Sequence, residues 1–446
     1  MSQRTRILTE IWGYGGWRIR ETYFEWADGT RCTTVPGGVR VEVRLVLVVE
    51  RRWAARCGAC GAICRRKHEF LPSRRWQDLP WAGRTVQVEC SPIRVECERC
   101  ESRPVEMVAW AAPYQRQTRR LQQHLALEAA SMPVMHVAVL NGLSWGTVRR
   151  AEGAALARWD ATRIKPSLYQ VGIDEKWLGR RHQLEHDFVT VVSDLQTGEP
   201  LWIGPGRSET TVASWLATLT DEQKAELTLV AMDMHRPFWN AIKADPKLVH
   251  VAVVHDPFHV MKRAGEAMNE VRKDIFFRAG PEQRRVGRGT RWLVLRAWEH
   301  SNAQQIEALD KLLAMNSQLA RTYQIVEELR STLKAPDRNT MSLGLARVLR
   351  RTQLRRHKHL RKLHESLLDH RDEILGLGEH HPPTGRIEAL NNNWETLVRR
   401  ARGYRDYDYL LLKLRFMTVN PVRSVSGTQR FLALGLPEPR LAHPRA

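Results

Sequence analysis

From Val39 to Val49 hydrophobic and polar positions alternate: Val39, Val41, Val43, Leu45 and Leu47 fall on one face, and Arg40, Glu42 and Arg44 on the other. A period of two predicts a half-buried strand, which opens a small β-rich unit; a second strand-like run ends at Cys90. From Thr118 to Trp159 the period lengthens, with Leu121, Leu125 and Ala129, then Val134, Val137 and Ala138, recurring at helical spacings of three and four. Asn141-Gly142 reads as a helix stop, and Ser144 is placed to cap a further helix through Val148 to Trp159. Helix, short turn and helix follow one another there.

Beyond the break at Lys165-Pro166 short β-type runs return. They predict strands over Tyr169–Asp174, Phe188–Asp194 and Leu201–Ile203 as an antiparallel meander, the last two joined by the turn Gln196-Thr-Gly-Glu-Pro. A helix from about Ser208, a strand over Leu227–Met232, a helix near Phe238–Ala244 and a strand over His250–Val254 complete a β-β-β-α-β-α-β order. That order implies a mixed sheet with helices packed on it. From about Pro257 to His380 the pattern is helical, with apolar stripes at Ile306, Leu309, Leu312 and Leu313 and at Leu319, Tyr323 and Val326. Arg347 to His364 reads as helical and is crowded with Arg347, Arg350, Arg351, Arg355, Arg356, Lys358, Arg361 and Lys362. Pro382-Pro383-Thr-Gly385 breaks the chain before a final helix over about Arg386–Arg402, and the Pro- and Arg-rich tail from Pro421 is expected to be weakly structured.

Composition narrows the class. A chain of 446 residues, 43% hydrophobic and 27% charged, suits two to four globular domains. No apolar run approaches the ~20 residues of a membrane helix. The first residues, Met1-Ser-Gln-Arg-Thr-Arg, carry no secretory h-region, so a cytoplasmic chain with few disulfides is expected. The 70 Lys and Arg against 49 Asp and Glu leave a net charge of +21. Such a charge calls for a polyanionic partner; arginine's planar fork suits phosphate, and the lack of a membrane helix favours nucleic acid over an anionic lipid surface.

Two local motifs have a direct physical reading. Cys57-Gly-Ala-Cys60 and Cys97-Glu-Arg-Cys100 are CxxC pairs, whose two-residue gap lets adjacent thiolates face one tetrahedral metal. Together they predict one structural Zn²⁺ with no open coordination position; four unrelated buried cysteines is the alternative. Cys32, Cys64 and Cys90 remain as ordinary cysteines. The helix-turn-helix reading places Ser144, Trp145 and Thr147 where they reach base edges and Arg149 and Arg150 where they meet phosphate; the alternative is a plain helical hairpin between domains. In the helical stretch Arg350, Arg351, Arg355 and Arg356 are candidates to track the DNA backbone.

Catalytic chemistry needs carboxylates that converge. Asp174 ends one predicted strand and Asp233 follows another, so both can project from neighbouring strand ends. Magnesium takes hard oxygen ligands, and a third carboxylate completes a two-metal pocket. Glu388 is the best candidate, early in a helix with Asn391 and Asn392 on the same face. Singly, each acid reads as a surface residue. Glu175, Asp187 and Asp194 are assigned to solvent or turn capping, and Asp406 and Asp408 to the surface. Asp256-Pro-Phe-His259 alone reads as a helix start.

The segments Gly172-Ile-Asp-Glu175, Ala231-Met-Asp-Met-His-Arg-Pro-Phe238, Asp256-Pro-Phe-His-Val-Met-Lys262 and Gly385-Arg-Ile-Glu-Ala-Leu-Asn-Asn392, in this order, resemble the transposases of the ISL-three family of insertion sequences. So do the CxxC pairs with Asp78-Leu-Pro between them, Arg291-Trp-Leu-Val-Leu-Arg296 and Tyr323-Gln-Ile-Val-Glu-Glu-Leu329, and the likeness spans about residues 40 to 420. The resemblance implies an RNase H-like core with Asp174, Asp233 and Glu388 as a DDE triad on two Mg²⁺ (or Mn²⁺) ions, and Asp256 and His259 as secondary site residues. It implies a homodimer or larger assembly on the terminal inverted repeats and target DNA. The expected architecture is α+β and multidomain: a β-rich zinc domain over residues 1–110, a helix-turn-helix domain over 111–165, the first part of the core over 166–262, a helical insertion over 263–380, the Glu388-bearing last part of the core over 381–420, and a tail over 421–446. His235-Arg-Pro and Glu388-Ala depart from the family pattern without removing a ligand. Two other functions stay open, a DNA-binding regulator that no longer cuts and an RNase H-like nuclease or resolvase.

Overall fold

The computed structural model describes residues 3–32, 43–178, 188–278, 280–353, 357–401 and 404–435. Val39, Arg40, Val41, Glu42, Asp187, Arg355 and Arg356 therefore lie outside the described residues. The chain forms two compact units, Met1–Ile164 with Leu412–Ala446, and Lys165–Leu411.

In the first unit, helix α1 (Gln3–Trp12) leads into strands β1 (Trp17–Trp26), β2 (Val43–Arg51), β3 (Ala55–Arg56), β4 (Ile63–Cys64), β5 (Lys67–Phe70), β6 (Arg74–Trp81), β7 (Arg84–Cys90) and β8 (Ile93–Val95). Four of them form a sheet in the order β1-β2-β7-β6. The expected half-buried strand is corrected here: residues 45 to 49 of β2 are all buried, because the strand is central and both of its faces are covered. One face joins a core built around Trp110, which is fully buried and ringed by Trp12, Tyr14, Trp17 and Trp76.

Asp78 locks this sheet to the first helix after it. Its buried carboxylate accepts from Trp12 Nε1 (3.2 Å), Thr118 Oγ1 (2.7 Å) and Arg120 Nε (2.7 Å), joining β6 to the first turn of α2 (Arg119–Ser131). Asp78→Ala would strand the Arg120 guanidinium, whose side chain is only 18% exposed. A loss of roughly 3 kcal/mol is expected, measured as a lowered urea midpoint of the full chain; an unchanged midpoint would show the lock to be idle.

The predicted helices come next in the chain: α2, capped by Thr118, then α3 (Val134–Leu140) and α4 (Trp145–Thr162), capped by Ser144 through Thr147 N. Gly142 makes the turn with φ +61°, a left-handed conformation that glycine adopts without steric cost. Leu121, Leu125, Ala129, Val137, Ala138, Val148 and Ala151 form their common core. The expectation of a weakly structured tail is corrected for residues 421–435. A helix over Val425–Ala433 buries Phe431 against Leu156, Trp159 and Phe416, and Gln123 Nε2 donates to the Phe431 carbonyl at 2.8 Å. Local sequence did not show this because the stabilising partners are some 300 residues away.

In the second unit β9 (Gln170–Trp177), β10 (Phe188–Asp194) and β11 (Pro200–Pro205) form the predicted antiparallel meander. Helices α5 (Glu209–Leu216) and α6 (Asp221–Glu226), strand β12 (Leu229–Met232), helix α7 (Arg236–Ala244) and strand β13 (Ala252–His255) complete a mixed sheet in the order β11-β10-β9-β12-β13. One face, with Val171, Ile173, Val230 and Met232, packs on Val212, Trp215, Phe238 and Ile242 from α5 and α7. The other, with Leu229, Ala231 and Val254, packs on helical chain. That chain runs through α8 (Pro257–Arg272), α9 (Pro281–Gly287), α10 (Arg291–Leu295), α11 (Ala303–Ala314), α12 (Ser317–Thr332), α13 (Arg338–Gln353), α14 (Lys358–Asp369), α15 (Arg371–Leu375) and α16 (Leu377–His380) to α17 (Gly385–Arg400). The stretch Arg347–His364, read as helical, is shared between two helices, α13 and α14, joined by Thr352 Oγ1 and His364 Nδ1 at 3.0 Å. Folding back buries Leu345 and Val348 with Leu360, Leu363 and Leu367 in one core, where a straight helix would leave one stripe in water.

Candidate functional site

Three parallel strand ends place acids in one row. Met232 of β12 is in register with Ile173 of β9 and with His255 of β13, so the next residues, Asp174, Asp233 and Asp256, lie at one level. Asp174 does not end its strand as expected. β9 continues to Trp177 against β10, while β12 stops at Met232, so past Ile173 one edge of β9 is released beside Asp233. Alternation along the strands turns Asp174 to the side of Gly172, and Asp233 to the side of Ala231. Asp256 caps α8 by accepting from Phe258 N at 3.0 Å, so its helix-start reading is borne out along with its place in the row.

One turn into α8, His259 points back at both aspartates. Its Nδ1 lies 3.3 Å from Asp233 Oδ1 and its Nε2 3.8 Å from Asp174 Oδ1. Nδ1 has no aligned hydrogen bond, so His259 holds the aspartates by charge when its ring is protonated. Lys176, two residues along β9 and therefore on the Asp174 face, pairs with the other Asp174 oxygen. Sequence reading missed Lys176, although the i, i+2 spacing on a strand was enough to find it.

Glu388 comes to the site by helix packing. A Cβ on Gly172 would lie 2.8 Å from Ile387 Cδ1, so the glycine lets α17 press against β9 two residues before Asp174. Glu388 is exposed and lines a cleft of about 740 Å³ together with Asp256, Glu175, Lys176, Asn391 and Asn392. Among the described residues, Asp174, Asp233 and Glu388 are not a group whose ligand atoms all lie within 4.8 Å of one another. The aspartates converge on one imidazole, and their hard oxygens suit Mg²⁺; the cleft that Glu388 lines reaches the acid row at Asp256. Of the competing acids, Glu175 is paired with Arg207 at 3.2 Å and Asp194 accepts from Thr197 N in its turn at 2.7 Å.

The electrostatics arise from this crowding. Burial pushes the Asp233 carboxyl up, but His259, the Met234 amide and Arg263 outweigh it and hold the pKa at about 2. Burial pulls His259 down, yet Asp233, then Asp174 and Asp256, raise it overall. The sign is then fixed: a raised histidine stabilises fully below its unfolded pKa of ~6.5 and loses this as pH rises through the folded value, while Asp233 contributes above ~4. Without added divalent metal, the difference in Tm between wild type and His259→Gln is expected to be widest near pH ~5–6 and to narrow from ~7 to 9. A gap that widens with pH would reverse the reading.

In the other unit the two CxxC pairs meet. Cys57 Sγ lies 3.9 Å from Cys100 Sγ and Cys60 Sγ 3.6 Å from Cys97 Sγ, and all four thiols lie within 4.8 Å of one another. Tetrahedral zinc at ~2.3 Å from each sulfur requires edges of ~3.8 Å, so the donor set fits the ion. The Cys100 amide, then the Cys60 and Cys57 thiols, bring the Cys97 thiol down to about 6, while Cys60 and Cys97 push Cys100 up to about 12. Crowded among three other thiols, Cys100 gives up its proton only to a cation that the four share. Cys64 is buried beside the cluster and stays outside the four.

At the start of α4, Ser144 spends its hydroxyl on capping, Trp145 is 49% exposed, Thr147 is half-buried, Arg149 lies over the Trp145 ring at 6.0 Å, and Arg150 is exposed. Ser144 thus shapes the helix more than it offers a contact. On α13, Arg350 and Arg351 are exposed, and Arg351 pairs with Glu328 at 3.0 Å.

Comparison with known proteins bears on both units. A family model described as transposase matches residues 171–414, and one described as the helix-turn-helix domain of transposase family ISL3 matches residues 106–151. The transposase for insertion sequence element IS1001 of Bordetella parapertussis is 31% identical over 362 residues, covering 80% of this chain and 87% of that protein. The transposase for insertion sequence element IS1557 of Mycobacterium tuberculosis is 26% identical over 384 residues, covering 80% and 84%. With the helix-turn-helix and the acid-bearing sheet each matched in place, the chain belongs to the ISL3 family of transposases.

Proposed function

We propose that this transposase binds the terminal inverted repeats of its own insertion sequence and cuts and joins DNA strands at the acid row. The observation that carries the reading is the in-register placement of Asp174 and Asp233 on adjacent parallel strands, in a unit whose other helix bearing an acid, α17, is pressed against the same strand. The sheet is read as an RNase H-like core with residues 257–380 as its helical insertion. Asp174, Asp233 and Glu388 would hold two Mg²⁺ or Mn²⁺ ions, with Glu388 closing on the aspartates once DNA fills the cleft. When bound, such ions activate an attacking oxygen and stabilise the leaving one.

The chain's own side chains do the rest. Lys176 and His259 hold the two aspartates in place while no divalent ion is bound and yield their contacts when one arrives. Asp256 fixes the first turn of α8 and so aims His259. Trp145, Thr147, Arg149 and Arg150 read and grip the element end, Ser144 sets the start of their helix, and Arg350, Arg351, Arg355 and Arg356 neutralise backbone phosphates. The four cysteines hold one structural Zn²⁺ beside the helix-turn-helix. Two element ends must be joined to one target, so a dimer or larger complex on DNA is part of this reading.

The test is a plasmid assay with purified chain, a duplex carrying the element end, and Mg²⁺. Joined products are expected. Binding without cutting would leave a DNA-binding regulator, and cutting without joining a nuclease or resolvase.

A further inference from the structure

Apart from the four cysteines, one group of described residues brings three metal-ligating atoms within 4.8 Å of one another: His255, His370 and Glu373. We infer that these three side chains form a second transition-metal site, tying the helical insertion to the end of strand β13. It is separate from the acid row and does not depend on the strand-transfer reading.

The three donors come from two elements. His255 is the last residue of β13, fully buried; His370 is the residue before α15, also buried; Glu373 lies in the first turn of α15. His255 Nε2 faces His370 Nδ1 at 2.9 Å. His255 Nδ1 is buried with no aligned hydrogen-bond partner, while its Nε2 is aimed at His370. Two imidazoles on one tetrahedral ion at ~2.0–2.1 Å would stand ~3.4 Å apart, a few tenths of an ångström wider than the present contact. Glu373 is oriented from outside, since Trp239 Nε1 donates to its Oε1 at 2.7 Å and leaves Oε2 free to bind. A ligating carboxylate fixed by an outer hydrogen bond is the usual arrangement around such ions.

The charges that reach His370 are mixed: Arg263, which donates to the Met234 carbonyl at 2.7 Å, and Arg236, over the Trp239 ring at 4.5 Å, are set against Glu373 and Asp369. Two imidazoles and one carboxylate suit zinc and neighbouring first-row ions, not magnesium. The elements are already in close contact, because a Cβ on Gly376 would lie 2.8 Å from Val254 Cγ1. An ion here would pin α15 to the strand end that carries Asp256, and so set where the insertion sits on the sheet.

The experiment counts zinc in full-length protein purified with zinc and passed through gel filtration, using plasma emission. Wild type is expected to hold two zinc ions per chain. His370→Gln, which keeps a hydrogen-bonding amide but ligates poorly, is expected to hold one, and Cys57→Ser to lose the other. Asp174→Asn is expected to stay at two, which shows that the acid row is not the source. With Co²⁺ in place of zinc, His370→Gln should keep the strong thiolate charge-transfer bands and lose the weaker visible bands of the nitrogen and oxygen site. Equal zinc in wild type and His370→Gln overturns the inference and leaves a plain imidazole hydrogen bond. If His370→Gln does not fold, Glu373→Gln is read in the same way.

Discussion

Asp233→Asn is expected to reduce strand cleavage at element ends by about 10³-fold, some 4 kcal/mol of transition-state stabilisation, while leaving end binding within about twofold. The substitution keeps size and removes charge. The ionised form of Asp233 is held firmly, with its pKa at about 2, and its partner His259 also lies against Asp174. Gel-shift and cleavage assays on one duplex separate the two effects. Retained cleavage would move the chemistry away from the row, and joint loss of binding and cleavage would mean that Asp233 acts through folding. Glu388→Gln is the instructive companion. Its carboxylate lines the cleft, and the three acids are not gathered within 4.8 Å of one another, so a loss as large as that of Asp233→Asn requires DNA or metal to bring them together.

Removing zinc from the cysteine site is expected to unfold its surroundings and abolish end binding. Structural zinc sites supply on the order of 10 kcal/mol of folding free energy. Here the four sulfurs are the core of a cluster with only Ala55, Ala62, Cys64, Ile93 and Val95 around them. Strands β3 and β4 pair over two residues each, too little to hold the cysteines without the ion. Cys97→Ser should release about one zinc, open residues 55–106 to protease and weaken element-end binding by more than tenfold. Full binding after verified zinc loss would show the module to be dispensable.

Much of the site was legible because its signals are local. A CxxC pair states its own geometry, a cap residue before a periodic run marks a helix start, and an acid after an apolar run marks a strand end. Asp233 and the four cysteines were picked out this way, and Asp174 too, although its strand runs on to Trp177. Lys176 carried an equally local signal, one residue type and one spacing away from Asp174. Asp78 stands out in sequence only as part of a motif; its place between Trp12, Thr118 and Arg120 depends on packing across 66 and 42 residues.

The amino-acid sequence by itself determined the elements, their order and the chemical types available, since periodicity and capping are set within a few residues. Tertiary structure decided what contacts between distant segments decide. It put β2 at the centre of a sheet and covered both its faces, turned Arg347–His364 into a hairpin, and brought the helix Val425–Ala433 back onto α2 and α4. It also set Asp174, Asp233 and Asp256 at one level, which comes from the register of three parallel strands and from no feature of any one of them. The same register puts His255 within reach of His370, 115 residues away.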